Sequence, residues 1–168
     1  VAAPDAGAPG AIALCTTDGP ASLFDQLGGT PDAGGSWSGP STLANGAFDP
    51  ASMQAGVYTY TITVPPPCVN VSSTVTVTLA QPPNAGVDGG LTLCATSTPE
   101  ALVNGLQGTP DGGGTWHGPS PVIGGVFNPA TMTVGVYTYT VPGSTPCPAA
   151  SANVEVNVVD NPDPGGPG

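Results

Sequence analysis

Few residues of this chain could carry chemistry: four cysteines, one histidine, two tryptophans and eleven carboxylates, in a chain without lysine or arginine. The cysteines form two pairs of equal spacing, since Cys68 is 53 positions after Cys15 and Cys147 is 53 positions after Cys94. These spacings lack the close Cys-x-x-Cys pairs of a zinc site, so we interpret them as disulfides formed in an oxidising compartment. Four cysteines allow three connectivities. We expect one bridge within each pair, and each bridge would stabilise its module by about 4 kcal/mol.

Both tryptophans follow glycine-rich turns: Trp37 comes after Gly34-Gly35 and Trp116 after Gly113-Gly114. An exposed indole beside a loop can stack on a sugar ring, which makes both tryptophans candidates for carbohydrate binding. A small β-sandwich, however, needs a large core residue, and a tryptophan on a central strand commonly fills that role. We therefore favour the core interpretation for Trp37 and Trp116.

Asp32 and Asp111 are the only acidic residues found at equivalent places in both halves of the chain, each within Thr-Pro-Asp-x-Gly-Gly. A carboxylate and backbone carbonyls could hold Ca²⁺ weakly, but the alternating carboxylates of a dedicated calcium loop are missing. An aspartate that hydrogen-bonds its own turn is the commoner case. We expect no cofactor, with Ca²⁺ at Asp32 and Asp111 as the alternative.

The single histidine, His117, has Ser38 at the equivalent place in the first half. A general base needs an orienting partner and a nucleophile within reach. We therefore interpret His117 as an exposed strand residue and expect no enzymatic activity. Asn70-Val71-Ser72 is a glycosylation sequon, which makes Asn70 a candidate attachment site.

The elements that must position these residues occur twice. Residues 15–68 align with 94–147 without a gap, at an offset of 79, with 28 identities in 54 positions. We predict two tandem modules, 1–81 and 82–161. The segment 162–168 lies where a third copy of the 79-residue repeat would start. We expect it to begin a further module or to connect subunits.

Each module is predicted to consist of β-strands. From Gly56 to Val64, strict alternation places Tyr58, Tyr60 and Ile62 on one face and threonines on the other, a period of two. A second alternating run around Val75 supplies its hairpin partner. Short strands with turn signals every eight to twelve residues predict an all-β fold of two tandem β-sandwiches, with one disulfide each.

Charge limits the partners. The net charge is −11 with no cationic side chain, so the chain cannot neutralise phosphates of nucleic acid or bind an anionic bilayer. No apolar run approaches the length of a membrane span. With the expected disulfides, this composition predicts an extracellular or cell-surface protein.

The ordered motifs Cys, Gly-Thr-Pro-Asp-x-Gly-Gly-x-Trp-x-Gly-Pro, Phe-Asp/Asn-Pro-Ala, Gly-Val-Tyr-Thr-Tyr-Thr and Pro-Cys occur in both modules. This pattern resembles a repeat of very large secreted surface proteins of Bacteroidota, among them adhesins of the gliding-motility-associated type. The resemblance covers almost the whole chain. It implies immunoglobulin-like modules used as spacers or adhesive stalks, and it supplies no catalytic residues.

These observations predict an extracellular structural protein, a stalk or fibre subunit that assembles head to tail. Its expected partners are copies of itself or adjacent immunoglobulin-like modules. The alternative is a carbohydrate-binding adhesin module, with or without Ca²⁺, whose partners would be surface glycans.

Overall fold

The computed structural model describes residues 3–160, which fold into two units. Within these residues, unit 1 comprises residues 3–82 together with Thr145–Cys147, and unit 2 comprises Pro83–Ser144 together with residues 148–160. The segment 162–168, predicted as a further module or connector, lies outside the described residues.

Strands and one short helix in each unit follow the same order. Unit 1 contains β1 (Gly10–Cys15), β2 (Ala21–Ser22), a 3₁₀ helix (Phe24–Gln26), β3 (Ser36–Ser38), β4 (Ala47–Phe48), β5 (Gly56–Ile62) and β6 (Val71–Ala80). Unit 2 contains β7 (Gly89–Cys94), β8 (Glu100–Ala101), a 3₁₀ helix (Leu102–Gly105), β9 (Thr115–His117), β10 (Val126–Phe127), β11 (Gly135–Val141) and β12 (Ala150–Val159).

The strands of each unit form a four-stranded and a two-stranded sheet. The orders are β1-β6-β5-β3 and β2-β4 in unit 1, and β7-β12-β11-β9 and β10-β8 in unit 2. β1 pairs parallel with β6, whereas β5 pairs antiparallel with both β6 and β3. The predicted all-β fold of two tandem β-sandwiches is confirmed. The expected disulfide in each module is not found, since the described residues contain one disulfide, between Cys15 and Cys147.

The predicted tyrosine hairpin is formed by β5 and β6. Tyr58 and Tyr60 are 0% and 2% exposed, while Val57 on the opposite face is 53% exposed. In β6 the side chains of Val75 and Val77 are buried by the same alternation. β5 lies between β6 and β3, so the tyrosine strand is a central strand of its sheet.

Tyrosine and phenylalanine side chains dominate the core. The ring of Phe48, from the two-stranded sheet, meets Tyr58 edge-on with centroids 5.5 Å apart. The Tyr58 hydroxyl donates a hydrogen bond to the carbonyl oxygen of Gln54 at 2.7 Å, and Tyr137 repeats this bond to Thr133 at 2.6 Å. A tyrosine hydroxyl bonded to the backbone a few residues upstream is the tyrosine corner of immunoglobulin-type sandwiches.

The predicted cysteine pairing is wrong. The structure has a disulfide between Cys15 and Cys147, whereas Cys68 and Cys94 are free and exposed. The turn Thr145–Cys147, which precedes β12, belongs to unit 1, so this bond lies within unit 1.

Strand direction explains why Cys15 cannot reach Cys68. In the parallel register Cys15 lies beside Ala80, at the end of β6, whereas Cys68 precedes the first residue of β6, Val71. A ten-residue strand separates its two ends by about 30 Å, while disulfide Cα atoms lie roughly 4.4–6.8 Å apart. The second expected bridge, Cys94–Cys147, fails for the same reason at β12.

Candidate functional site

The two tryptophans lie on edge strands of the four-stranded sheets, Trp37 on β3 and Trp116 on β9. Each is half-buried and packs on the tyrosine opposite it in the neighbouring strand. The ring centroids are 5.2 Å apart for Trp37 and Tyr60, and 4.9 Å for Trp116 and Tyr139. The core interpretation is therefore only partly right, because an edge strand leaves one side of each indole uncovered.

Both tryptophans line open depressions, but the two depressions differ in size. The depression at Trp116 has a volume of about 610 Å³ and that at Trp37 about 190 Å³. The sequence repeat does not make the two surfaces equivalent, so the larger depression of unit 2 is the stronger candidate for ligand binding.

Two differences between the repeats account for the difference in volume. Phe24 in unit 1 meets the ring of Tyr60 edge-on, with centroids 5.4 Å apart, and helps to fill the depression. Its equivalent in unit 2 is Val103, which is shorter and 42% exposed. Asn45 in the unit 1 lining is replaced by Gly124, which has no side chain. The sequence analysis did not identify Val103 and Gly124 as lining residues. They could have been found because they are smaller than Phe24 and Asn45, the residues at the equivalent positions of the first repeat.

The lining of the unit 2 depression is mainly apolar. Its polar side chains are those of Thr115, His117 and Tyr139, and the Tyr139 hydroxyl is already hydrogen-bonded to the carbonyl oxygen of Asp111 at 2.8 Å. His117 is an exposed residue of β9, as predicted. An aromatic wall with few polar groups can stack against the apolar face of a ring, and orientation would depend on Thr115 and His117.

Asp32 and Asp111 fasten the start of each unit to its glycine-rich turn. The Asp32 carboxylate accepts the Asp5 N–H at 2.9 Å, and the Asp32 N–H donates to the Asp5 carbonyl at 2.7 Å. Asp111 makes the same two bonds with Asn84, at 2.8 and 2.7 Å. These bonds give the recurrence of Asp32 and Asp111 a structural reason that does not involve a metal.

Within residues 3–160, no three His, Cys, Asp or Glu side chains come together in an arrangement that could hold a metal ion. Asn70 is exposed in the loop before β6, where its side-chain oxygen accepts the Val64 N–H at 3.1 Å. None of the helices in the described part of the chain is long and apolar enough to cross a membrane.

Comparison with known proteins finds similarity to solved structures of tandem immunoglobulin domains. No protein-family model matches the chain, and no curated protein matches its sequence. Among solved structures, a mutated three-domain immunoglobulin fragment of titin is 12% identical, with a TM-score of 0.46, over 89% of this chain and 62% of the fragment. Immunoglobulin domains 1–4 of Sidekick-1 are 14% identical, with a TM-score of 0.32, over 94% of this chain and 51% of theirs. An I-band fragment of titin is 12% identical, with a TM-score of 0.34, over 95% of this chain and 67% of the fragment. The chain spans between half and about two thirds of the length of these structures.

Proposed function

We propose that the chain is a non-catalytic extracellular structural protein, a stalk or fibre subunit that assembles head to tail on or from a bacterial surface. The observation that supports this proposal most strongly is the Cys15–Cys147 disulfide, whose cysteines are 132 residues apart. It joins a residue of the first sequence repeat to a residue of the second. Tension along the chain would therefore pass through the sulfur atoms and would bypass the residues between them.

The chemistry of the surface agrees with an exterior location. A disulfide forms and persists in oxidising compartments, and a chain with no lysine or arginine offers trypsin-like proteases no cleavage site. The motif resemblance to secreted surface proteins of Bacteroidota supports the bacterial origin.

Electron microscopy of the native material, combined with a reducing denaturing gel, tests this proposal. We expect filaments or stalks. A reduced band near 16.2 kDa would identify them as assembled subunits, and a much larger band would identify them as repeats of one polypeptide. Isolated monomers in the native material would contradict both forms of the proposal.

A second candidate function is carbohydrate binding, with or without Ca²⁺, at surface glycans. It is favoured by one observation, the depression of about 610 Å³ beside the half-buried Trp116. Unit 1 presents a smaller depression of about 190 Å³ at Trp37. A binding function would therefore belong to unit 2, whereas a structural function uses both units alike.

A further inference from the structure

The four cysteines are of two kinds. Cys15 and Cys94 end the first strand of their repeats, whereas Cys68 and Cys147 lie in the turn that precedes the last strand. The disulfide joins strand-end Cys15 to turn Cys147, one cysteine of each kind. The free and exposed thiols, Cys68 and Cys94, are again one of each kind.

The backbone around Cys94 reproduces that around Cys15. The Cys15 N–H donates to the Asp18 carboxylate at 2.8 Å, and the Cys94 N–H donates to the Ser97 hydroxyl at 3.1 Å. Cys15 is aligned with Ala80 at the end of β6, and Cys94 is aligned in the same way with Val159 at the end of β12. In both units the next residue donates its N–H to the carbonyl of that last strand residue, at 3.0 and 2.9 Å.

The two strand ends differ in what covers them. In unit 1 the turn Thr145–Cys147 is part of the folded unit, and Cys15 is 0% exposed. In unit 2 Cys94 is exposed, and Val159 beside it is 47% exposed. Unit 2 therefore presents an exposed valine next to a free thiol, at the place where unit 1 contains a bonded turn.

The other free thiol lies on a turn of the same kind as the bonded one. Pro66–Cys68 and Thr145–Cys147 have the same turn conformation, end in the same Pro-Cys dipeptide, and are followed after two residues by the last strand. Cys68 is exposed, and Val69 next to it is 78% exposed. Each chain therefore has an exposed strand-end cysteine equivalent to Cys15, which is Cys94, and an exposed turn cysteine equivalent to Cys147, which is Cys68.

We propose that Cys94 of one copy forms a disulfide with Cys68 of a second copy, whose Pro66–Cys68 turn packs against the end of β12 beside Val159. This inference rests on the proposed function and supplies its link between subunits. The contact uses different surfaces of the two copies, so it propagates instead of closing into a dimer. It also suits chains of net charge −11 without lysine or arginine, which cannot associate through ion pairs between carboxylates and basic side chains.

Bond formation needs an oxidant, for which a low-molecular-weight disulfide suffices. The Cys94 thiolate attacks that disulfide, releases one thiol and forms a mixed disulfide, which the Cys68 thiolate of the second copy then resolves. Two protein thiols are oxidised to one disulfide, and the small disulfide is reduced to two thiols that carry the two protons.

The test incubates the purified 168-residue chain and two variants, Cys94→Ser and Cys68→Ser, with oxidised glutathione. Because both cysteines are exposed, we expect the variants to fold. On a non-reducing gel the unaltered chain should give a ladder of multiples of 16.2 kDa. Each variant alone should remain monomeric, and an equimolar mixture of the two should stop at the dimer.

Peptide mapping identifies the bonds directly. A protease that cuts at aspartate leaves the four cysteines on four different peptides, because Asp18, Asp49, Asp88 and Asp111 separate or flank them. We expect Cys94 joined to Cys68 of an isotope-labelled partner, with Cys15–Cys147 retained. A monomeric unaltered chain, a Cys68–Cys94 bond within one chain, or single variants that dimerise as readily as the mixture would each overturn the inference.

The native material separates failure of this inference from failure of the proposed function. Filaments whose Cys68 and Cys94 react fully with a thiol reagent before reduction would overturn the disulfide link and leave the structural role intact. Filaments of disulfide-linked chains that fall to a band near 16.2 kDa on reduction are the expected result. If reduction leaves one much larger chain, a second copy is not the partner and the inference in this form is overturned.

Discussion

At the scale of single residues, the tyrosine hydroxyls explain why β5 and β11 carry tyrosine and not phenylalanine. Tyr60 donates a hydrogen bond to the Asp32 carbonyl at 2.7 Å and accepts one from the Gly35 N–H at 2.8 Å. A Cβ atom at Gly35 would lie 2.5 Å from the Tyr60 ring, so only glycine fits there. The buried strand thereby holds the turn that carries Asp32, and Tyr139 repeats both bonds in unit 2.

One buried hydroxyl has no such partner. Ser73 in β6 is 5% exposed, and its side-chain oxygen makes no hydrogen bond within the described structure. Its equivalent in β12 is Ala152, which is 2% exposed. We expect Ser73→Ala to raise the free energy of unfolding of unit 1 by about 1 kcal/mol, and Ala152→Ser to lower that of unit 2 by about 1–3 kcal/mol, because an unpaired hydroxyl loses its hydration on burial.

Urea unfolding followed by tryptophan fluorescence measures both changes. Variants that retain only Trp37 report unit 1, and variants that retain only Trp116 report unit 2. Ser72→Ala, on the exposed face of β6, is the control and should change stability by less than about 0.5 kcal/mol. Destabilisation by Ser73→Ala would show that the hydroxyl has a partner.

At the scale of elements, the unit 2 depression is shaped by the 3₁₀ helix, β9 and the turn before β10. That turn can accept a larger residue: Gly124 has φ 62°, and Asn45 occupies the equivalent place in unit 1 with φ 53°. Asparagine tolerates this left-handed conformation better than most residues. Val103→Phe with Gly124→Asn therefore rebuilds the unit 1 lining in unit 2.

We expect acrylamide to quench Trp116 more strongly than Trp37, because Trp116 lines the larger opening. The Val103→Phe, Gly124→Asn variant should reduce quenching of Trp116 to the level of Trp37. The measurement uses Trp37→Phe and Trp116→Phe backgrounds, which leave one tryptophan each. Equal quenching of the two tryptophans in the unaltered lining would contradict the expectation.

The same variant also tests the carbohydrate-binding alternative. If unit 2 binds soluble glycans at this depression, the Val103→Phe, Gly124→Asn variant should lose that binding.

At the scale of the whole molecule, we expect the Cys15–Cys147 bond to limit how far the chain extends under force. The bond encloses most of both repeats, since its two cysteines are 132 residues apart. A disulfide cannot be lengthened by unfolding the residues that it encloses, so these residues are shielded from tension applied outside them. This property is suited to a stalk.

Single-molecule pulling between residues 1 and 168 tests this shielding. After complete unfolding, the reduced chain should be longer than the oxidised chain by about 45 nm, from 132 additional residues at roughly 3.3–3.6 Å each. A Cys15→Ser variant should show the longer contour without a reductant. Equal contour lengths before and after reduction would show that the bond is absent in solution.

Several features of this molecule could be predicted from its sequence. The repeat, the all-β class and the faces of β5 and β6 follow from local signals: identical residues at an offset of 79 and a period of two in apolar residues. Alternation determines which side chains of a strand share a face, whatever the strand's neighbours are. Tyr58 and Tyr60, which the alternation places on one face, are accordingly both buried.

Only the tertiary structure decided the cysteine pairing and the exposure of the tryptophans. Both depend on which strands are neighbours and in which direction they run. β1 and β6 pair in parallel although more than fifty residues of chain lie between them, and no local pattern encodes that direction. An antiparallel β1 would have brought Cys15 toward Cys68; the parallel one carries it to the opposite end of β6. In the same way Trp37 is half-buried because β3 is an edge strand, and strand order is determined by long-range packing.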